Sequence, residues 1–213
     1  MSEQYASKNF VFRPAVASEA PAVWGILQKA IARRKADGST QWQDGYPNPE
    51  VVAGDLTGGS GYVMLHQNLV VAYCALKAND EPEYARLEGS WLTRGDFLVV
   101  HRVALADAWI GKGLSHLLFD FIEDHARSLR LPSIKADTNF DNTAMLRLFE
   151  KRNYHHCGTV WFRGSPRRAY EKVLLQGLEE PMRNRSIFCW TTKARMYILW
   201  TKFNPSFLRK GNH

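Results

Sequence analysis

The stretch VALADAWIGKGLSHLLFDFIEDHA, residues 103–126, decides the fold of this chain. It begins within an apolar run, Phe97–Leu105, which predicts a β-strand. A turn with two glycines, Trp109–Gly113, comes next. After the turn, apolar side chains recur every three or four residues, which predicts one face of an amphipathic helix: Leu114, Leu117, Leu118, Phe121 and Ile122. The segment therefore predicts a strand, a glycine turn and a helix in direct succession.

The glycine turn indicates a site for an anion. The first N–H groups of a helix have no partner within the helix, and a helix N-terminus carries about half a positive charge. Gly111 and Gly113 let a ligand approach the backbone closely, and Lys112 adds a cation, so a phosphate or pyrophosphate suits this turn. The turn lacks the GxxxxGK[ST] pattern, and the GxGxxG pattern fails because His116 stands where its last glycine belongs. The alternative is that the glycines serve only the steric needs of the turn.

The sequence IGKGLSHLLF, residues 110–119, resembles the acetyl-CoA pyrophosphate loop of the GNAT superfamily of acyl-CoA-dependent N-acetyltransferases. The family pattern, Q/R-x-x-G-x-G/A before a leucine-rich helix, aligns on Gly113, and this chain departs from it at Ile110 and Ser115. The resemblance implies acetyl-CoA as co-substrate. It also implies that seven consecutive residues hold the pyrophosphate: Ile110, Gly111, Lys112, Gly113, Leu114, Ser115 and His116.

A second stretch, DNTAMLRLFEKRNY at residues 141–154, resembles the family helix N-x-x-A-x-x-L-Y-x-x-x-G-F/Y. By this resemblance Asn142 caps the helix and faces the pantetheine arm of CoA. Asn153 stands where the family has glycine, and asparagine also tolerates the left-handed conformation at a helix end. Phe149 replaces a tyrosine that protonates the departing thiolate in many members, so the general acid is left unassigned.

The order of the predicted elements agrees with this resemblance. Strands pair first in hairpins and later alternate with helices, which predicts a mixed sheet flanked by helices. The resemblance, which spans about residues 8–174, implies the GNAT fold of the α/β (α+β) class. Its mixed central sheet has six to seven strands, and a splayed pair of parallel strands holds CoA. The main chain of Val103 and Leu105 would bond to the pantetheine.

We expect a GNAT acetyltransferase domain over residues 1–178 and a basic, aromatic C-terminal extension over residues 179–213. The extension holds most of the formal net charge of +7, which makes the rest of the chain unremarkable in charge. Its apolar residues favour packing on the domain or on a second copy of the chain, which would give a homodimer. Contact with nucleic acid or an anionic membrane is the less favoured alternative.

Composition narrows the class of protein further. The three cysteines are widely spaced and form no CxxC, which favours a reducing cytoplasm. No His, Cys or carboxylate spacing completes a zinc set, so no metal is expected. No stretch approaches 18 uninterrupted apolar residues, so no membrane span is expected.

Candidate catalytic residues are His101, Asp44 and Glu88. His101 precedes the expected oxyanion donor by one or two residues, and its side chain titrates in a suitable range; the alternative is a packed strand residue. Glu88 lies in a long irregular connection, residues 77–96, where a solvated carboxylate is the alternative. Asp137 is a further candidate base, with simple pairing to a cation as its alternative.

The loop QWQDGYPN, residues 41–48, together with VHRVAL, residues 100–105, resembles a subset of bacterial GNAT proteins of unassigned substrate. Trp42, Asp44 and Tyr46 would form an acceptor site, because a carboxylate beside aromatic rings suits an ammonium group. The alternative for Asp44 is an ordinary turn, Asp44–Gly45.

These observations predict a cytoplasmic acetyl-CoA-dependent N-acetyltransferase. It would transfer an acetyl group to the primary amine of a small molecule or an amino terminus, by direct attack in a ternary complex. The alternative from another class is a non-catalytic module that binds acyl-CoA as a sensor or partner.

Overall fold

The computed structural model describes residues 9–174, which form one eight-stranded sheet flanked by four α-helices. The strands are β1 Phe10–Pro14, β2 Gly61–His66, β3 Leu69–Ala78, β4 Glu88–Gly89, β5 Phe97–Leu105, β6 Ser133–Thr138, β7 His155–Phe162 and β8 Ser165–Val173. The helices are α1 Ala20–Ala36, α2 Pro49–Thr57, α3 Leu114–Ser128 and α4 Thr143–Lys151. The strand order across the sheet is β1-β2-β3-β5-β6-β8-β7-β4.

The predicted fold class is confirmed, with eight strands where six to seven were expected. The additional strand is β4, a two-residue element within the connection that the sequence pattern left irregular. Its Gly89 lies opposite Gly158 of β7, and both glycines have positive φ angles, 146° and 143°. A Cβ on Gly89 would lie 2.1 Å from the Cys157 carbonyl oxygen, so the two backbones meet this closely only through glycine.

The four helices divide between the two faces of the sheet. On one face, buried side chains of α3 and α4 pack against β2, β3 and β5, among them Leu118, Phe119 and Phe149. On the other face, Val23, Leu27 and Val52 of α1 and α2 pack on alternate residues of the same strands. The alternation follows from the two-residue repeat of a strand, which turns successive side chains to opposite faces.

The centre of the sheet is a parallel pair that separates partway along its length. β5 pairs with β6 from Phe97↔Ser133 to Val100↔Ala136, and no further. β5 continues to Leu105 against β3 alone, and β6 continues to Thr138 against β8 alone. The splayed strand pair expected from the resemblance is therefore present.

A bulge in β5 coincides with the point of separation. The pairing register of β3 and β5 shifts between Tyr73 and Ala75, and Arg102 takes a left-handed φ of 53°. Such a conformation is rare for a residue with a long side chain and needs support from its surroundings.

That support is a buried ion pair between Arg102 and Asp55 of α2. The guanidinium donates through Nε at 2.8 Å and Nη2 at 2.6 Å, and both side chains are 7% exposed. The Tyr73 hydroxyl donates to the same carboxylate at 2.6 Å, and burial and then Asp55 raise the pKa of that phenol. The pair therefore joins α2, β3 and β5 at the bulge.

We expect Asp55→Ala to lower the free energy of unfolding by about 3–5 kcal/mol, because it leaves the Arg102 guanidinium buried without its carboxylate. Thermal and urea unfolding of the variant measure the loss. The matched control is Asp124→Ala, whose partner Arg127 and own carboxylate are both well exposed, and which should cost less than about 1 kcal/mol. Equal losses in the two variants would contradict the anchoring role of the buried pair.

Candidate active site

Two adjoining cavities follow the splayed part of β5. The larger, of about 420 Å³, lies between α1, the glycine turn and α4. The smaller, of about 60 Å³, lies where β5 and β6 separate. Both are lined by five residues from three parts of the chain: Gln41, Trp42, Val103, Asn142 and Met145. The two cavities are thus parts of one cleft.

Most of the residues that were predicted to bind CoA line the larger cavity. Its lining includes Val103, Leu105, Ile110, Gly111, Ser115 and Asn142. Lys112 and Gly113 are exposed at the same turn. Leu114 is fully buried in the core, so only its backbone can serve a ligand.

The glycine turn has the conformation that its sequence predicts. Gly111 and Gly113 have φ angles of 74° and 81°, and Gly113 stands as the N-cap of α3 without a capping side chain. The N–H groups of the first helical turn therefore face outward with the positive end of the helix dipole. Burial first, then Arg152 and Lys151, lowers the pKa of His116, so its imidazole is neutral at neutral pH. This conformation is suited to an anion.

Across the cleft, the start of α4 is tied to α1 and its following loop. Asn142 accepts from the Met145 amide at 3.3 Å, which confirms the predicted N-cap, and donates to Gln41 at 3.1 Å. Arg34 of α1 forms an ion pair with Asp141 at 2.6 Å. Asn153, after the helix, has the predicted left-handed φ of 58°.

At the narrow end of the cleft His101 lies between two carboxylates. Its Nε2 is 2.8 Å from Glu81 Oε2, and its Nδ1 is 4.0 Å from Asp137 Oδ1. The Asp137 carboxylate, 2% exposed, accepts from the Tyr84 hydroxyl at 2.9 Å and from Arg167 at 3.1 Å. Burial, and then Asp137, raises the pKa of Tyr84, so the phenol remains a hydrogen-bond donor.

Sequence analysis missed several polar residues of this end, among them Glu81 and Thr138. Glu81 belongs to the long connection between β3 and β5, whose length was the only signal. Thr138, the last residue of β6, lines the smaller cavity, and its buried hydroxyl has no hydrogen-bond partner within residues 9–174. Such an unsatisfied buried group is uncommon, and a ligand in the cavity would supply its partner.

The predicted acceptor residues lie at the same end. Trp42 and Tyr46 line the smaller cavity, and the Tyr46 hydroxyl bonds to Arg102. Asp44 is half-exposed and pairs with Arg163 of the β7–β8 turn at 2.9 Å. The Arg163 guanidinium also lies 4.3 Å from the centre of the Tyr46 ring. The loop after α1 and the β7–β8 turn thus meet over this end of the cleft.

Two further residues singled out from the sequence, Glu88 and Phe149, differ in their position relative to the cleft. Glu88 is exposed on the edge strand β4, accepts from the Trp161 indole at 2.9 Å and lines neither cavity of the cleft. Phe149 is buried, lines the smaller cavity and packs against Tyr154 and Tyr170. Burial raises the pKa of Tyr154, whose hydroxyl has no partner in the described part of the chain.

Two further properties concern residues 9–174 alone. They contain no group of three or more His, Cys, Asp or Glu side chains arranged to hold a metal ion. None of their helices has the length and apolar character needed to cross a membrane. The predicted boundary at residue 178 and the extension 179–213, with its expected role in dimerisation, lie outside the described residues.

Comparison with known proteins agrees with the fold. The model of the acetyltransferase (GNAT) family matches residues 31–154, more than half of the chain, and the chain belongs to this family. Members use acetyl-CoA as the acetyl donor. No curated protein matches the sequence.

Solved structures share the fold. A GNAT acetyltransferase from Streptococcus agalactiae 2603 is 29% identical, with a TM-score of 0.71 over 78% of this chain and 96% of that chain. One from Listeria monocytogenes 4b F2365 is 18% identical, with a TM-score of 0.63 over 78% and 95%. The protein yncA from Salmonella typhimurium, solved with its cofactor acetyl-CoA, is 17% identical, with a TM-score of 0.56 over 80% and 96%.

We expect Gly113→Asp to weaken CoA binding at least about tenfold, because it places a negative charge where the turn would hold the pyrophosphate. The matched control is Gly113→Asn, which has nearly the same size, tolerates the left-handed φ of 81° and carries no charge. Calorimetric titration with CoA compares the two folded variants. Equal affinities of the two variants for CoA would show that the pyrophosphate does not bind at this turn.

Proposed function

We propose that this chain transfers the acetyl group of acetyl-CoA to the primary amine of a small molecule or an amino terminus, by direct attack in a ternary complex. The observation that carries the proposal is the single cleft, with a glycine turn suited to an anion at one end and His101 between the Glu81 and Asp137 carboxylates at the other. In such a reaction both substrates are bound together, so catalysis rests largely on positioning.

The residues present fit acetyl-CoA along the whole cleft. The turn at Gly111–Ser115 and Lys112 would hold the pyrophosphate. Within residues 9–174, β5 has no strand partner beyond Val100 on its β6 side, so the backbone of Val103 and Leu105 would be available to the pantetheine, much as to an added strand. The Leu105 carbonyl also accepts from Arg33 at 3.3 Å. Asn142 borders the same path. The thioester would then lie in the smaller cavity.

His101 is the proposed general base. With Nε2 donating to Glu81, Nδ1 keeps its lone pair, and the 4.0 Å gap to Asp137 is too long for a direct hydrogen bond. Glu81 acts as a positioning residue that fixes the ring. In this mechanism the Val103 amide, just after the bulge, would be the oxyanion donor, because a backbone N–H stabilises the charge that develops on the thioester oxygen. Glu88 has no step in this mechanism.

The leaving thiolate needs no strong acid, because CoA is a good leaving group, and Phe149 cannot supply a proton. The unpartnered hydroxyl of Thr138 lines the smaller cavity and is the candidate donor to the departing sulfur. This hydroxyl would stabilise the thiolate by a hydrogen bond and keep its own proton, and the thiolate would leave unprotonated.

The acceptor amine would enter between the loop of Trp42, Asp44 and Tyr46 and the β7–β8 turn. An incoming ammonium group would compete with Arg163 for the Asp44 carboxylate and for the face of the Tyr46 ring. The site therefore already binds one cation in the way that the proposal requires for the substrate.

The function is tested by following acetyl-CoA consumption with a panel of primary amines and peptides. His101→Ala should lower kcat/KM by about 100- to 10,000-fold at constant CoA affinity, because the base is lost and the pantetheine path is intact. The matched control is His155→Ala, an exposed histidine on β7, which should change neither quantity. Glu81→Gln should lower kcat by less than His101→Ala and leave the acetyl-CoA KM unchanged.

Two results would count against the proposal. CoA binding without turnover across the panel would favour the non-catalytic sensor. Unchanged turnover in His101→Ala would remove His101 as the base and leave the transferase assignment standing.

For the acceptor site we expect Asp44→Asn to lower kcat/KM for the amine about ten- to a hundredfold without affecting CoA affinity, because the carboxylate no longer attracts the ammonium. Arg163→Gln, which frees Asp44 from its partner, should leave the amine KM equal or lower. Steady-state kinetics and melting temperature are measured on both variants. If Asp44→Asn changes only the melting temperature, Asp44 is a turn residue and not part of the acceptor site.

A further inference from the structure

A third cavity, of about 600 Å³, lies beneath the connection between β3 and β5 and over the start of β6. It shares no lining residue with the two cavities of the cleft. Three aromatic side chains, Tyr84, Trp91 and Phe97, form much of its wall, and Lys135 of β6 reaches it from the sheet. Its size is within the usual range for a small-molecule site.

Lys135 is the unusual residue of this cavity. It is 4% exposed, and its ammonium lies 4.0 Å from the centre of the Phe97 ring and 4.6 Å from that of Trp91. It makes no hydrogen bond or ion pair with any of residues 9–174. Burial lowers the pKa of this lysine. The charge of the Glu171 carboxylate opposes this shift of the pKa, but the ammonium has no direct hydrogen-bond acceptor of the kind that such a buried group normally has.

The carboxylate whose charge acts on Lys135 is already engaged by other donors. Glu171 lies opposite Lys135 in the β6–β8 ladder and is fully buried. Its carboxylate accepts from the Leu92 amide at 2.6 Å, the Thr93 amide at 3.3 Å and the Thr93 hydroxyl. These bonds hold the β3–β5 connection against the sheet. They also direct the Glu171 carboxylate toward that connection.

The two carboxylates that line the cavity do not pair with its two cations. Its two carboxylates are paired elsewhere, Glu81 with His101 at 2.8 Å and Asp80 with Lys77 at 2.8 Å. Arg94, exposed at the rim, has no ion pair within the described residues. The cavity therefore presents two unpaired cations and an aromatic wall.

We propose that this cavity is a second binding site, for a small carboxylate with a flat apolar body, such as an arylalkanoate. The carboxylate accepts from the Lys135 ammonium and lies on the side of Arg94. The flat body stacks on Trp91 and Phe97, where apolar area and ring faces favour it. The site is separate from the cleft, because the two share no lining residue, although Glu81 and Tyr84 of its wall contact His101 and Asp137 at the narrow end of the cleft.

The test compares three ligands of nearly equal shape on the unmodified full-length chain by calorimetry, in a buffer free of carboxylates. Phenylacetate is the anion, phenylacetamide its neutral counterpart and 2-phenylethylamine the cation. We expect phenylacetate to bind at least about tenfold more tightly than either. Saturating CoA should not displace it, since the cleft and this cavity share no residue.

Lys135→Met should abolish the preference for phenylacetate over phenylacetamide. Its fold is expected to persist, with an equal or higher melting temperature, because an apolar side chain of similar length replaces a buried ammonium that lacks an acceptor. The matched control is Lys151→Met, an exposed lysine on α4, which should keep the preference. The ligand comparison on the unmodified chain remains decisive even if Lys135→Met does not fold.

Three outcomes would overturn the proposal. The first is equal binding of phenylacetate and phenylacetamide, or no phenylacetate binding up to about 10 mM, the range expected for a ligand of this size. The second is displacement of phenylacetate by CoA, which would put the ligand in the cleft. The third is an intact preference in folded Lys135→Met.

Discussion

The ion pair between Asp55 and Arg102 lies at the point on which the geometry of the cleft depends. Arg102 stands between His101 and Val103, the proposed base and the proposed oxyanion donor. Its left-handed conformation shifts the register of β5 just where β6 leaves it. The carboxylate of Asp55 holds the guanidinium from one side and the Tyr46 hydroxyl contacts it from another. A single buried side chain thus connects the bulge, α2 and the acceptor loop, and breaking one partner of such a pair is costly.

Local sequence signals predicted the parts of the fold that local interactions determine. The glycine turn before α3, the Asn142 cap and the left-handed Asn153 each depend on a few neighbouring residues. The family resemblance then supplied the order of strands, and the shared fold is confirmed.

Contacts between distant segments could not be predicted in the same way. Asp44 looked like a free carboxylate because its partner Arg163 lies in a turn 119 residues further along the chain. Glu81 meets His101 only because the long connection folds back over the sheet, where Glu171 holds it. β4 is too short to give a periodic pattern and exists through a close approach of two glycine backbones. Each of these depends on tertiary register, which a single sequence does not reveal.

The parallel pairing of β5 and β6 also has a mechanical consequence. Within residues 9–174 it is the one parallel pair, and it joins two antiparallel halves of the sheet, β1-β2-β3-β5 and β6-β8-β7-β4. Only four residue pairs, from Phe97↔Ser133 to Val100↔Ala136, make this seam. The cleft begins where this strand pairing ends, so the four residue pairs act as a hinge between the two halves of the sheet. A small rotation of one half of the sheet against the other changes the width of the cleft most at its open end, beside the glycine turn, and least beside His101. The end of the cleft beside the glycine turn can therefore adjust to a bound ligand with little change in spacing beside His101.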